Sequence, residues 1–257
     1  MIETARSLLF VPGNRPERFA KAAASGADVV VLDLEDAVGP AAKVDAREHV
    51  RAWLDEGNKA VVRINGTGTP WYQEDLAMVT GRAQAVMVPK AENAEQVDLA
   101  LPVIPLLETA LGIAKAIEVC AADSVVRPAF GSVDLAAQLG VDHQSHDALR
   151  YARSAVVLAA AAAGCAAPID GVTTTLADEA MLQKDLAHAI ELGFTAKLCV
   201  HPRQVGPVRE AFRPSAEDID WARGVLAMAA DGSVNVYNGQ MVDRPVLLRA
   251  EAILARS

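Results

Sequence analysis

From its first residues to beyond position 200 the chain alternates between short apolar runs of strand length and segments with helical periodicity. "RSLLFVPG" is followed by "PERFAKAAASG", with Pro16 in its first turn and Gly26 as its terminator. "DVVVLDLED" leads into "AAKVDAREHVRAWLDEG", and "KAVVRIN" into a helix around "YQEDLAMV". "AQAVMVPK" precedes "AEQVDLAL", and "VIPLLET" precedes "LGIAKAIEVCAA". "VVRPAFGSVD" is followed by "HDALRYARSAVVLAAAAAG", "APIDGVTTT" by "DEAMLQKDLAHAIELG", and "TAKLCVHP" by "RQVGPVREAF". Uniformly apolar strands separated by helices define a parallel sheet covered on its outer face, and eight repeats close a TIM (β/α)8 barrel. A doubly wound open sheet is the alternative. It would usually carry a Gly-rich nucleotide turn after an early strand, and "VPGNRPERF" holds one glycine.

Residues 1–213 are therefore read as the barrel, and 214–257 as a C-terminal helical extension. Nothing in a barrel needs this tail, so it is expected to pack across the barrel, cover the site as a lid or reach a neighbouring subunit. At 257 residues and 52% apolar content the chain is long enough to bury one large core. A net charge of -9 without a block of Lys and Arg argues against nucleic acid and anionic membrane as partners. Cys120, Cys165 and Cys199 show neither pairing nor metal spacing and read as buried thiols of a reducing cytoplasm. Glu3 and the early Pro12-Gly13 break rule out a signal peptide at "MIETARSLLFVPG". "AVVLAAAAAGCAAP" falls short of the ~20 residues that span a bilayer and reads as a packed interior helix.

In a barrel, chemistry belongs to the C-terminal strand ends. Those positions here are Asn14 and Arg15; Asp33, Glu35 and Asp36; Arg63 and Asn65; Lys90; Glu108; Ser132 and Asp134; Asp170; and His201. An uncompensated buried carboxylate costs several kcal/mol, against a domain stability of only ~5–15 kcal/mol. The acids must therefore be solvated, paired with bases or bound to a cation. Glu108 in "PLLETALG" and Asp134 in "AFGSVDLA" end consecutive predicted strands, so barrel closure brings them together. Two hard oxygen ligands with open positions suit Mg2+ or Mn2+, and the lack of a nearby His pair disfavours zinc. Arg63 in "VVRIN" is the cation expected to face that metal and bind a carboxylate or an enolate oxygen. Its alternative is a structural salt bridge to Asp33 or Glu35.

Together "LLFVPGNRPERFAKAAASGADVVVLDLEDAV", "VVRINGTGT", "VMVPKAE", "PLLETALG", "AFGSVDLAAQLG", "PIDGV", "LGFTAKLCVHPRQV" and "MVDRPVLLRAEAIL" resemble the citrate lyase β-subunit-like family of CoA-ester lyases, relatives of malyl-CoA and citramalyl-CoA lyases. The resemblance spans essentially the whole chain in the right order. It implies a TIM-like barrel, homo-oligomeric assembly (commonly a trimer), Mg2+ held by Glu108 and Asp134, and Arg63 in the substrate site. It also implies that the tail folds over a CoA site and places Asp243 of "MVDRP" near the reacting carbons. The expected reaction is reversible Claisen-type cleavage of a 3-hydroxyacyl-CoA thioester of the citramalyl, malyl or citryl kind. A surface partnership with Arg244 is the alternative role for Asp243.

Arg15, Arg18 and Lys21, at the start of the first helix, are expected to meet CoA phosphates there, with a solvated helix face as the alternative for Arg18 and Lys21. Lys90 is expected to hold a strand-end carboxylate or CoA, Glu35 and Asp36 to hold metal-bound water or orient Arg63 and Lys90, and Asp33 and His201 to be structural. The rival readings are a CoA-independent metal-dependent pyruvate aldolase and an obligate β-subunit of a citrate lyase complex. The short C-terminal region favours a lyase that acts alone.

Overall fold

The computed structural model describes residues 2–229, 235–237 and 239–256. Eight parallel strands, β1 (Ser7–Pro12), β2 (Val29–Asp33), β3 (Val61–Arg63), β4 (Ala85–Val88), β5 (Val103–Leu107), β6 (Ala129–Phe130), β7 (Ile169–Asp170) and β8 (Ala196–Cys199), pair in sequence order. β8 pairs back onto β1, with Ser7 beside Lys197, so the barrel is closed. Alternation sends every second side chain inward. Leu8, Val29, Val31, Val61, Met87, Ile104, Leu106, Ala129, Ile169, Ala196 and Leu198 form one buried interior cluster. Continuing that file upward by two residues reaches Asp33 on β2 and Arg63 on β3, and carries β5 on to Glu108. The same periodicity that fills the barrel with aliphatic carbon thus sets its polar upper rim.

Outside the strands run α1 (Phe19–Ala23), α2 (Lys43–Asp55), α3 (Tyr72–Val79), α4 (Ala110–Ala114), α5 (Ala116–Cys120), α6 (Ser132–Leu139), α7 (His146–Ala163), α8 (Glu179–Leu192) and α9 (Val205–Ala211). Their starts follow side-chain chemistry: the Thr109, Ser145 and Asp178 side chains accept from the amides of Gly112, Ala148 and Met181. At the end of α7, Gly164 at φ 73° provides the left-handed residue that stops the helix.

Three elements differ from expectation. "AEQVDLAL" forms only a 3-10 turn, Ala94–Gln96, closed by an Asn93–Gln96 capping box; Pro102 disfavours a helical residue before it. "LGIAKAIEVCAA" is broken at Lys115 (φ -105°, ψ 15°) into α4 and α5. The Ala-rich α7 is an outer helix, not an interior one. It buries Leu149, Ala152, Val156, Ala159 and Ala160, while Tyr151 is 81% and Leu158 68% exposed.

At the N-terminal end of the barrel Arg127 is fully buried. Its guanidinium donates to the carbonyls of Ala5 (2.6 Å), Ile2 (3.2 Å) and Ala167 and to Thr195 Oγ1 (2.6 Å). These bonds tie the first residues of the chain to the barrel floor. Cys120 and Cys199 are buried, with thiols pushed by that burial up to about 12, whereas Cys165 is only half-buried. Among the described residues no helix is long and apolar enough to cross a membrane.

The chain divides into two compact units, Met1–Ala211 and Phe212–Ser257. In the second, α10 (Ala216–Ala229) and α11 (Arg244–Leu254) flank an antiparallel hairpin of β9 (Asn235–Tyr237) and β10 (Gln240–Val242). Ala222, Val225, Val242, Ala250 and Ile253 form its small core.

Candidate active site

Four adjacent strand ends and the loops after them bring Asp33, Glu35, Asp36, Arg63, Lys90 and Glu108 together. Register pairs Asp33 directly with Arg63. The guanidinium grips that carboxylate in a fork, Nε to Oδ1 at 2.7 Å and Nη2 to Oδ2 at 2.6 Å. Asp33 also accepts from the amides of Glu35 (2.9 Å) and Ala37 (3.1 Å), so it is a structural anchor. The remaining nitrogen, Nη1, lies 3.1 Å from Glu35 and 3.9 Å from Asp36. Phe10 stacks beneath, with the Arg63 guanidinium carbon 4.8 Å from its ring centroid.

Lys90 Nζ donates to Glu35 Oε1 and stands 3.8 Å from both Asp36 and Asp134. Glu35 therefore bridges the two cations. Its loop is pinned by a side chain that no sequence motif singles out: Lys43, on α2, donates at 2.7 Å to the carbonyls of both Leu34 and Glu35. Read alone, that lysine is one more charge on an amphipathic helix.

Glu108 is 3% exposed and accepts from the Lys90 amide at 3.0 Å. A Cβ at Gly131 would lie 2.4 Å from Glu108 Cβ and 2.6 Å from its Oε2, so only glycine leaves room for this rotamer. Asp134 sits not at a strand end but in the first turn of α6. A cavity of about 140 Å3 opens here, floored by Phe10, Leu106, Val172 and Leu198 and rimmed by Arg63, Glu108, Ser132 and Asp134. The first turn of α6 lines one wall, a setting that favours an anionic ligand group.

Electrostatics reflect the crowding. Burial, then the charges of Glu35 and Asp134, push the Glu108 carboxyl up to about 8. Burial likewise raises Glu35 against the pull of Arg63 and Lys90. Burial opposes the charge on Arg63, but Asp33, Glu35 and Glu108 outweigh it and hold the guanidinium protonated. At Glu108 burial and the neighbouring carboxylates thus outweigh the pull of Arg63 and Lys90. Among the described residues no group of three or more His, Cys, Asp or Glu side chains is arranged to ligate a metal. Two carboxylates beside an open cavity fit a hard cation that completes its shell with water and ligand oxygens, as Mg2+ does.

Other expected site residues lie elsewhere. Arg15 is exposed and paired with Glu17 at 2.6 Å, outside the cavity lining. Lys21 is not at a helix start: it occupies the last turn of α1, preceded by a 3-10 turn over Pro16–Arg18, so its charge complements the helix dipole instead of opposing it. Asp170 is buried between Arg153 Nε (2.9 Å) and Lys197 Nζ (2.7 Å), and His201 caps the turn after β8 by accepting from the Arg203 amide. Asn65 pairs with Asp75. Asp243 belongs to the second unit, where its carboxylate caps α11 by accepting from the Val246 amide at 3.3 Å.

A closed (β/α)8 barrel with acids and bases gathered at its C-terminal rim defines a barrel enzyme. Residues 6–202 match the family described as HpcH/HpaI aldolase/citrate lyase, and the chain belongs to this family of lyases. It is 45% identical over 259 residues to a citrate lyase subunit beta-like protein of Mycobacterium tuberculosis, covering 97% of this chain and 94% of that one. It is 32% identical over 274 residues to a (3S)-malyl-CoA thioesterase of Cereibacter sphaeroides, covering 97% of this chain and 96% of the relative. The crystal structure of the protein CitE from M. tuberculosis in complex with magnesium, acetoacetate and coenzyme A superposes with a TM-score of 0.85 at 43% identity, covering 99% and 98% of the two chains.

Proposed function

We propose that this protein is a Mg2+-dependent carbon-carbon lyase that reversibly cleaves a 3-hydroxyacyl-CoA thioester of the citramalyl, malyl or citryl kind to a 2-oxo acid and acetyl-CoA or a homologue. The observation that carries this reading is the pair of carboxylates, Glu108 and Asp134, facing Arg63 across one small cavity. The magnesium, acetoacetate and coenzyme A bound by the similar M. tuberculosis protein supply the ligand classes.

Glu108 and Asp134 would hold the metal, which when bound templates the carboxylate and hydroxyl oxygens of the part that leaves as the 2-oxo acid and acts there as a Lewis acid. A general base takes the hydroxyl proton, and that oxygen becomes the new carbonyl. The carbon-carbon bond breaks, and its electron pair passes to the thioester as an enolate. Arg63, held rigid by Asp33, stabilises the oxyanion charge that develops. The first-turn amides of α6 receive an anionic group of the substrate. Glu35 and Asp36 orient Arg63 and Lys90. Asp243, from its own subunit's tail or a neighbour's, delivers a proton to the enolate carbon, and Arg15 and Lys21 meet CoA phosphates. The 214–257 extension acts as cover for the site or as an inter-subunit contact in a homotrimer or other homo-oligomer, which light scattering would measure.

The test is incubation of the purified protein with Mg2+ and a panel of 3-hydroxyacyl-CoA esters, following 2-oxo acid release. Chelation should abolish the activity, and Glu108→Ala should do so with an unchanged circular dichroism spectrum. Full activity in that variant, with the same metal requirement, would overturn the assignment. Turnover of free hydroxy-oxo acids without CoA would favour the aldolase, and inactivity of the lone chain the obligate subunit.

A further inference from the structure

Lys90 is the one non-glycine residue with a positive φ (50°) among those described. A side chain with a Cβ is disfavoured in the left-handed region, and residues held there concentrate where function demands them. The consequence of this conformation is visible in the hydrogen bonds. In an extended strand successive amides point to opposite sides. Here two successive amides reach the same neighbouring strand: Lys90 N–H donates to Glu108 Oε1 at 3.0 Å and Ala91 N–H to the Leu106 carbonyl at 3.3 Å. The Ala91 bond ties the turn to the main chain of β5, and the Lys90 amide beside it anchors the Glu108 carboxylate. Among the described residues no protein group donates to Oε2 of Glu108, the atom that Gly131 leaves room for.

We propose that Lys90 is a positioning residue with two separable jobs. Its left-handed backbone fixes the Glu108 carboxylate through Oε1 and presents Oε2 for cation binding, while its ammonium holds Glu35. The proposal rests on the metal-binding reading of Glu108 and Asp134. Glycine would satisfy the backbone at this position without strain. Lysine adds what glycine lacks, an ammonium set against Glu35.

Two substitutions separate the jobs, because both delete the ammonium and differ in backbone tolerance. Lys90→Gly adopts φ 50° freely. Lys90→Val is strongly disfavoured there, and its relaxation to negative φ would withdraw the amide from Glu108. The measurement is Mn2+ binding to the purified full chain, read by the loss of the free-ion electron paramagnetic resonance signal. Lys90→Gly is expected to bind Mn2+ at least as tightly as wild type, since a cation 3.8 Å from Asp134 opposes the metal. Lys90→Val is expected to bind at least about tenfold more weakly than Lys90→Gly. If Lys90→Val does not fold by circular dichroism, Lys90→Ala replaces it, with a loss of severalfold relative to glycine. Equal Mn2+ affinity in the glycine variant and the folded Cβ-bearing variant overturns the proposal. Failure of wild type to bind Mn2+ overturns instead the metal reading beneath it, so the two failures are distinct.

Discussion

Arg63 and Asp33 stand on the same rung of β3 and β2 and are joined by a two-bond fork, which commits Nε and Nη2 to the scaffold and leaves Nη1 beside Glu35 at the cavity. The fork exchanges side-chain freedom for aim. In the proposed reaction a guanidinium so held would need no reorganisation when charge develops on the thioester, which is where preorganised donors act most strongly.

Lysine cannot reproduce that fork. Arg63→Lys should therefore lower kcat/KM roughly 100-fold, in the range found for losing one oxyanion donor. The fold should persist, as an amine still neutralises Asp33. Steady-state kinetics beside a thermal melt would check this, and activity within threefold of wild type would remove Arg63 from the chemistry.

Gly131→Ala tests whether Glu108 must keep its present rotamer. The added Cβ would overlap Glu108 Cβ at 2.4 Å and Oε2 at 2.6 Å, so the carboxylate has to move. A displacement of about 1 Å at a reacting centre costs on the order of 100-fold in rate, and overpacking adds about 1–3 kcal/mol of destabilisation. The Mg2+ concentration for half-maximal activity should rise. Gly66→Ala, where an added Cβ meets nothing within 4 Å, is the control and should change neither quantity.

The barrel was legible because buried parallel strands are apolar throughout, and eight such runs with helices between them leave few topologies. Asp33, Arg63 and Glu108 were legible as a group because each falls two residues beyond an inward aliphatic side chain. The left-handed turn at Lys90 was not, because no glycine marks it. Nor was the burial of Lys43, whose acceptors are main-chain carbonyls and leave no trace in side-chain pattern. Asp170 read as a rim carboxylate, yet Arg153 and Lys197 bury it. Lys21 was misplaced because the helix containing it begins three residues later than Pro16 signals.

The Asp170 cluster sets a pH limit on stability. Burial alone would raise this carboxyl, but Lys197 and Arg153 outweigh it and hold its pKa below the usual aspartate value. A pKa lowered by folding means the contribution is present above the unfolded value near 3.9 and is lost as pH falls through the folded one. In moderate urea, Asp170→Asn should flatten the acid side of the stability curve. It should also cost about 3–5 kcal/mol at neutral pH, since two buried cations lose their counter-ion. An unchanged urea midpoint at pH 7 would show that the cluster contributes nothing net.

Asp243 separates capping from chemistry, since its carboxylate caps α11 whether or not it also serves a substrate. Asparagine caps a helix about as well as aspartate, whereas alanine costs about 1 kcal/mol. Asp243→Asn should therefore melt close to wild type, and Asp243→Ala slightly lower. If the carboxyl group delivers the proton to the enolate carbon, both variants should lose on the order of 100-fold or more in kcat, the range of general acid-base contributions. Deuterium exchange into acetyl-CoA, in the presence of Mg2+ and a 2-oxo acid, reads that proton transfer apart from bond cleavage and should be lost in the asparagine variant. Exchange at the wild-type rate in Asp243→Asn, with only the alanine variant destabilised, would leave Asp243 as a helix cap alone.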